Sequence, residues 1–128
     1  MPIVTFCSNT VPGKPPINIT AKAISPTSIE VRWNYTSFHL KCPTTAVEIL
    51  YSLSNRTVFP TGHEDSLLVN WIFNHARLEE LSKFQNYSLW VRSKTVLGYG
   101  MISKPVFVQT LEDGKSSSLF ENSFKVSD

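Results

Sequence analysis

No stretch of the chain is apolar for more than a few residues. Ile49-Leu50-Tyr51 is typical, against the roughly 18 to 20 consecutive residues that cross a bilayer, so no membrane insertion is expected of this segment. The N-terminus, Met1-Pro2, is followed by neither a basic n-region nor a contiguous apolar stretch and does not read as a signal peptide. If the parent protein is secreted, this chain is expected to be a piece of it. An excess of one charge is also lacking: 12 Lys and Arg face 10 Asp and Glu, for a net +2. The basic residues are scattered from Lys14 to Lys125, which excludes a nucleic-acid footprint or a polybasic membrane patch. Only two cysteines are present, Cys7 and Cys42, without C-x-x-C spacing or a nearby histidine pair. A zinc site is excluded, and a disulfide or two reduced thiols remain open. His39, His63 and His75 lie far apart and match no metalloprotease pattern, and no glycine-rich loop precedes a helix. No catalytic residue, metal or cofactor is therefore expected. His63-Glu64-Asp65 is the one dense polar cluster, and it follows Pro60-Thr61-Gly62, where a solvated hairpin turn belongs.

What is present suits one domain with a real core, since 128 residues are 41% apolar and 17% charged. Pro12-Gly13-Lys14-Pro15-Pro16 reads as a lead-in to a strand. From there Ile17, Ile19, Ala21 and Ala23 alternate with polar residues, and after a Ser25–Ser28 turn so do Ile29, Val31 and Trp33. Val47, Ile49, Tyr51 and Leu53 form a third alternation, and Tyr87, Leu89 and Val91 a fourth. Gly98-Tyr99-Gly100 reads as a turn, with Val106, Val108 and Thr110 as the closing strand. Period-two patterns rich in β-branched residues mean half-buried strands, so the class is all-β: an antiparallel sandwich of two sheets. One stretch carries the opposite signal. His75 to Phe84 holds strong helix formers with apolar residues at 78, 81 and 84, and a short helix there competes with tertiary pairing, which overrides propensity on segments this short.

Four of the eight asparagines, Asn18, Asn34, Asn55 and Asn86, stand in N-x-S/T sequons, an excess of about twofold over chance that favours an extracellular glycoprotein. With these features in place, the sequence resembles a fibronectin type III domain over about Pro15 to Asp113. The carrying residues are Pro15-Pro16, then Ser28-Ile29-Glu30-Val31-Arg32-Trp33, then Leu81 six residues before Tyr87 with Leu89 and Val91, and finally Gly98-Tyr99-Gly100-Met101-Ile102-Ser103. Trp33, Leu81 and Tyr87 are expected in the core, with the Tyr87 hydroxyl bonding back to the corner before its strand. Lys83 and Gln85 depart from the family's usual proline and threonine, and the interval from Trp33 to Tyr87 is long. The strand order between Thr57 and Phe84 stays open.

The resemblance implies residues 1–14 as an N-terminal linker, 15–113 as the domain and 114–128 as a flexible C-terminal linker. In such a sandwich the lead-in to the first strand and the loop after the second share a pole, which implies a Cys7–Cys42 disulfide; a bond to a neighbouring domain is the rival. Neither an Arg-Gly-Asp tripeptide nor a Trp-Ser-x-Trp-Ser box is present. The implied role is a non-catalytic protein-protein interaction module of a cell-surface receptor or adhesion protein. Its expected partners are other proteins and neighbouring domains, and a parent could carry a kinase or phosphatase domain elsewhere. The alternative is a structural spacer, and an intracellular sandwich is disfavoured by the sequons and the disulfide. A spacer should be polar on its outer faces, whereas a binding module exposes an apolar patch. If Tyr87 and Val91 point inward, Trp90 and Arg92 point out beside Glu48 and Leu50 of the third strand. Those four residues are the expected interaction face, or else a self-contained ladder with Arg92 stacked on Trp90 and paired with Glu48.

Overall fold

A computed structural model of the chain describes residues 14–35, 44–54 and 58–114. Strands form wherever β-branched and aromatic residues alternate with polar ones: β1 (Ile17–Ser25), β2 (Ser28–Asn34), β3 (Ala46–Leu53) and β6 (Asn86–Thr95). Four shorter strands complete the set: β4 (Asp65–Asn70), β5 (His75–Leu78), β7 (Gly98–Tyr99) and β8 (Val106–Gln109). They build two antiparallel sheets, one ordered β1-β2-β5 and one ordered β4-β3-β6-β7, with β8 also pairing β6. No helix occurs among the described residues. The helix-prone stretch becomes β5 and a loop, because Ile29↔Leu78 and Val31↔Ala76 pairing places Leu78 and Ala76 against the core. The turn expected at Gly98–Gly100 sits two residues earlier, at Val96-Leu97; Gly98 takes a φ of 120° that only glycine adopts without strain.

Ile29, Val31 and Trp33 from β2 meet Val47 and Ile49 from β3 and Tyr87, Leu89 and Val91 from β6, with Leu78 and Leu81 closing the layer. Trp33 is 1% exposed, Leu81 7% and Tyr87 6%. Each side chain of this size, fully buried, contributes about 1.5–3 kcal/mol of transfer free energy. The corner before β6 is pinned by hydroxyls: the Ser82 N–H donates to the Tyr87 hydroxyl at 2.8 Å, and the Thr110 hydroxyl donates to the Ser82 carbonyl at 2.7 Å. That corner belongs to the C-terminal pole, together with the Ser25–Ser28 turn, since Leu81 N–H bonds the Thr27 carbonyl and Leu111 N–H the Ser25 carbonyl. At the opposite, N-terminal pole, Ile17 pairs with Asn34 and the Trp33 N–H reaches the Asn74 carbonyl.

Candidate functional site

The expected face lies on the outer side of the larger sheet, where Leu50 pairs with Trp90 and Glu48 with Arg92. Nε and Nη2 of Arg92 stand 2.7 and 2.6 Å from Glu48 Oε1. The side-chain parity follows the alternation, for Tyr87, Leu89 and Val91 are in the core and Trp90 is not among them. Yet Trp90 is 0% exposed, which corrects the expectation of an accessible tryptophan. Residues 58–64 lie over this face of the sheet, and the Trp90 indole N–H donates to the Val58 carbonyl at 2.8 Å. This strap is braced by Glu64, whose carboxylate accepts the N–H groups of Thr61 and Gly62 at 2.7 and 2.9 Å and the Thr61 hydroxyl at 3.0 Å. Desolvation pushes the Glu64 carboxyl upward, but these hydrogen bonds outweigh it and hold the group below its ordinary 4.5. Pro60, Thr61, Gly62 and Glu64 leave only a shallow depression against Leu50, Arg92 and Ile102. Arg92 stacks on Tyr99, 4.0 Å from the ring centroid, and Lys94 approaches the same ring at 5.6 Å. Tyr99, not Trp90, is the aromatic partner of the ladder.

Exposed apolar side chains also occur on the strap, at Val58 and Phe59, and two runs of them lie at the N-terminal pole. Trp71, Ile72 and Phe73, in the turn from β4 to β5, are 45%, 63% and 48% exposed, and Val96 and Leu97, in the turn from β6 to β7, are 76% and 53%. The first turn is held from several sides. Asn70 accepts the Ile72 N–H on its side chain and the Phe73 N–H on its carbonyl, each at 3.1 Å. The Tyr35 hydroxyl donates to the Phe73 carbonyl at 2.8 Å, and the Phe73 ring meets His75 edge-on at 6.1 Å. Trp71 N–H bonds the Thr45 carbonyl, and Thr45 N–H bonds the Lys94 carbonyl, which ties this turn to the end of β6. The polypeptide thus fixes a backbone on which Trp71, Ile72 and Phe73 are each about half exposed or more. Sequence reasoning missed the triplet. Its signal was three consecutive apolar residues between Asn70 and Asn74, both turn formers.

At the C-terminal pole a cleft of about 700 Å³ opens between the sheets, lined by Tyr51, Leu53, Leu81 and Tyr87 and rimmed by Asp65, Glu79 and Glu80. Burial there raises the Tyr51 phenol above 10.0, helped by the negative charges of Asp65 and Glu80. Asn18, Asn34 and Asn86 are exposed. Asn55, Cys7 and Cys42 lie outside the described residues. Among the described residues no group of three or more His, Cys, Asp or Glu side chains could hold a metal ion, and no helix is long and apolar enough to cross a membrane.

Comparison with known proteins agrees with the architecture. The chain is 32% identical over 114 residues to the tyrosine-protein phosphatase Lar of Drosophila melanogaster and 30% identical over 118 residues to the human cell adhesion molecule DSCAM. It spans only 5% of the length of each. Among solved structures, the fn3 domain of human contactin 1 superposes with a TM-score of 0.70 at 22% identity, covering 86% of this chain and 87% of that one. The FN5 domain of Drosophila Lar superposes with a TM-score of 0.61, also at 22% identity, covering 82% of this chain and all of that one. With the fibronectin type III family model matching residues 14–109, a two-sheet sandwich and a tyrosine-pinned corner, the chain belongs to the fibronectin type III domain family.

Proposed function

We propose that the chain is an extracellular protein-protein interaction module of a cell-surface adhesion receptor and that it engages its partners through the N-terminal pole. A domain of this family is a non-catalytic module. The observation that carries the reading is the pair of apolar turns, Trp71-Ile72-Phe73 and Val96-Leu97, exposed on one pole while the core is complete without them. Solvated apolar clusters of this kind mark contact surfaces, with a partner protein or a neighbouring domain. Likeness to Lar and to the cell adhesion molecule DSCAM supports the adhesion context.

The extracellular part of the reading also rests on the sequons and the cysteines. Asn18, Asn34 and Asn86 are exposed, open to glycosylation without disturbing the core. For the cysteines, Lys14 and Thr44, the nearest described residues after Cys7 and Cys42, both belong to segments at the N-terminal pole. That favours an intradomain Cys7–Cys42 bond, which would contribute about 3–4 kcal/mol in the chain-entropy model. Secretion of the chain from mammalian cells, with glycopeptide mapping and thiol alkylation, tests this part. Occupied sequons and no free thiol are expected, and four bare asparagines with two alkylatable thiols overturn it. For the interaction, the tagged secreted chain is expected to bind intact cells in flow cytometry, and the Trp71→Ser/Phe73→Ser variant to lose that binding. Equal binding by both forms removes the pole from the reading.

A further inference from the structure

The two poles differ in charge. Residues 14–18, 34–35, 44–46, 70–75 and 94–99, which make the described part of the N-terminal pole, carry Lys14, His75 and Lys94 and not one carboxylate. The described part of the C-terminal pole holds Glu64, Asp65, Glu79, Glu80, Glu112 and Asp113. His63 and Lys83 stand among them, Lys83 paired with Asp113 at 3.2 Å, and Arg77 reaches Glu79 at 3.7 Å, so the carboxylates still outnumber the cations. Asp65, Glu79 and Glu80 line the cleft together with His63, Tyr51, Leu81 and Tyr87, and its size falls within the range that bound groups fill. One end of the molecule is therefore apolar, projecting and basic, and the other is recessed, partly apolar and acidic.

We propose that the N-terminal pole of one copy docks head to tail on the C-terminal pole of a second copy, with the Trp71–Phe73 turn in the cleft and Lys14 and Lys94 against the carboxylates. This rests on the reading of the N-terminal pole as an interaction surface and names its partner. Complementary charge selects the opposite pole over a like one, because two N-terminal poles would face cation to cation. The contact joins different patches on the two copies, so each docked copy leaves one free pole of each kind, and assembly continues past the dimer.

Sedimentation velocity on the secreted chain tests it, from about 1 to 500 µM at about 20 mM salt. The mean mass is expected to rise with concentration beyond that of a dimer, and the association to weaken about tenfold at about 0.5 M salt. Ile72→Asp blocks one pole and Glu79→Lys/Glu80→Lys the other, so each variant alone is expected to be monomeric with the parent's unfolding midpoint. Their equimolar mixture is expected to form one-to-one pairs and nothing larger. Should Ile72→Asp not fold, Val96→Asp, at a site 76% exposed, takes its place. A parent chain that stays monomeric, a dimer that persists in either variant, or a mixture that stays monomeric overturns the proposal. A monomeric chain that still carries glycans and binds cells leaves the interaction-module reading standing.

Discussion

Replacing Trp90 by alanine removes a side chain that is fully buried although it faces away from the core. The loss combines a cavity beneath the strap with an orphaned Val58 carbonyl, and about 3–5 kcal/mol of destabilisation is expected in urea unfolding. A loss below about 1 kcal/mol would mean that the strap collapses onto the sheet without it. Two phenols bear on alkaline stability. Burial raises Tyr35, partly offset by the nearby Trp33 indole, and burial raises Tyr51 with added repulsion from Asp65 and Glu80. The folded chain holds both protons more tightly than the unfolded chain. Their contribution is thus complete below the ordinary phenol value of 10.0 and lost as the pH rises through the higher folded values. Urea midpoints measured upward from about pH 9 are expected to fall above about pH 10, and Tyr51→Phe to flatten part of that fall.

Among elements, the strap is held by the Trp90 indole and the Glu64 carboxylate. In Glu64→Gln the amide still offers an oxygen but no charge, so the charge-assisted bonds from Thr61 and Gly62 weaken. Faster hydrogen exchange at the Trp90 indole N–H, with the β6 amides unchanged, is the expected result. The native carboxylate gives the same effect with acid: its support is present above the ordinary 4.5 and disappears as the pH falls through the lower folded value. The turn at Pro60 to Asp65 was legible in the sequence, but its place over the sheet was not, because Val58 to Glu64 carries no periodicity and depends on Trp90, far along the chain. β1, β2, β3 and β6 were legible, since each sets apolar residues against polar ones with period two. β4 was not: Leu67-Leu68-Val69 runs without alternation, and only pairing with β3 turns Leu68 out. β5 reads as a helix former until Ile29 and Val31 provide its partners. The expected face showed the same split. Cross-strand register brought Glu48 to Arg92, whereas the cover on Trp90 and the place of Tyr99 depend on contacts that no local pattern encodes.

The whole molecule separates its duties in space. The core stands between the poles and Ile72 is 63% exposed at a tip, so Ile72→Asp is expected to change unfolding free energy by less than about 0.5 kcal/mol in urea titration. A larger loss would make the tip part of the fold. The three tryptophans of the chain fall into three different surroundings: Trp33 is sealed between the sheets, Trp90 is sealed under the strap, and Trp71 is 45% open at a tip. The molecule therefore contains its own optical reporters. Acrylamide reaches Trp71 while the other two indoles are shielded, so the quenchable fraction of the emission measures how much of the N-terminal tip is uncovered. The shielded fraction measures whether the sandwich and its strap are closed, and single Trp→Phe changes assign each signal without an added dye.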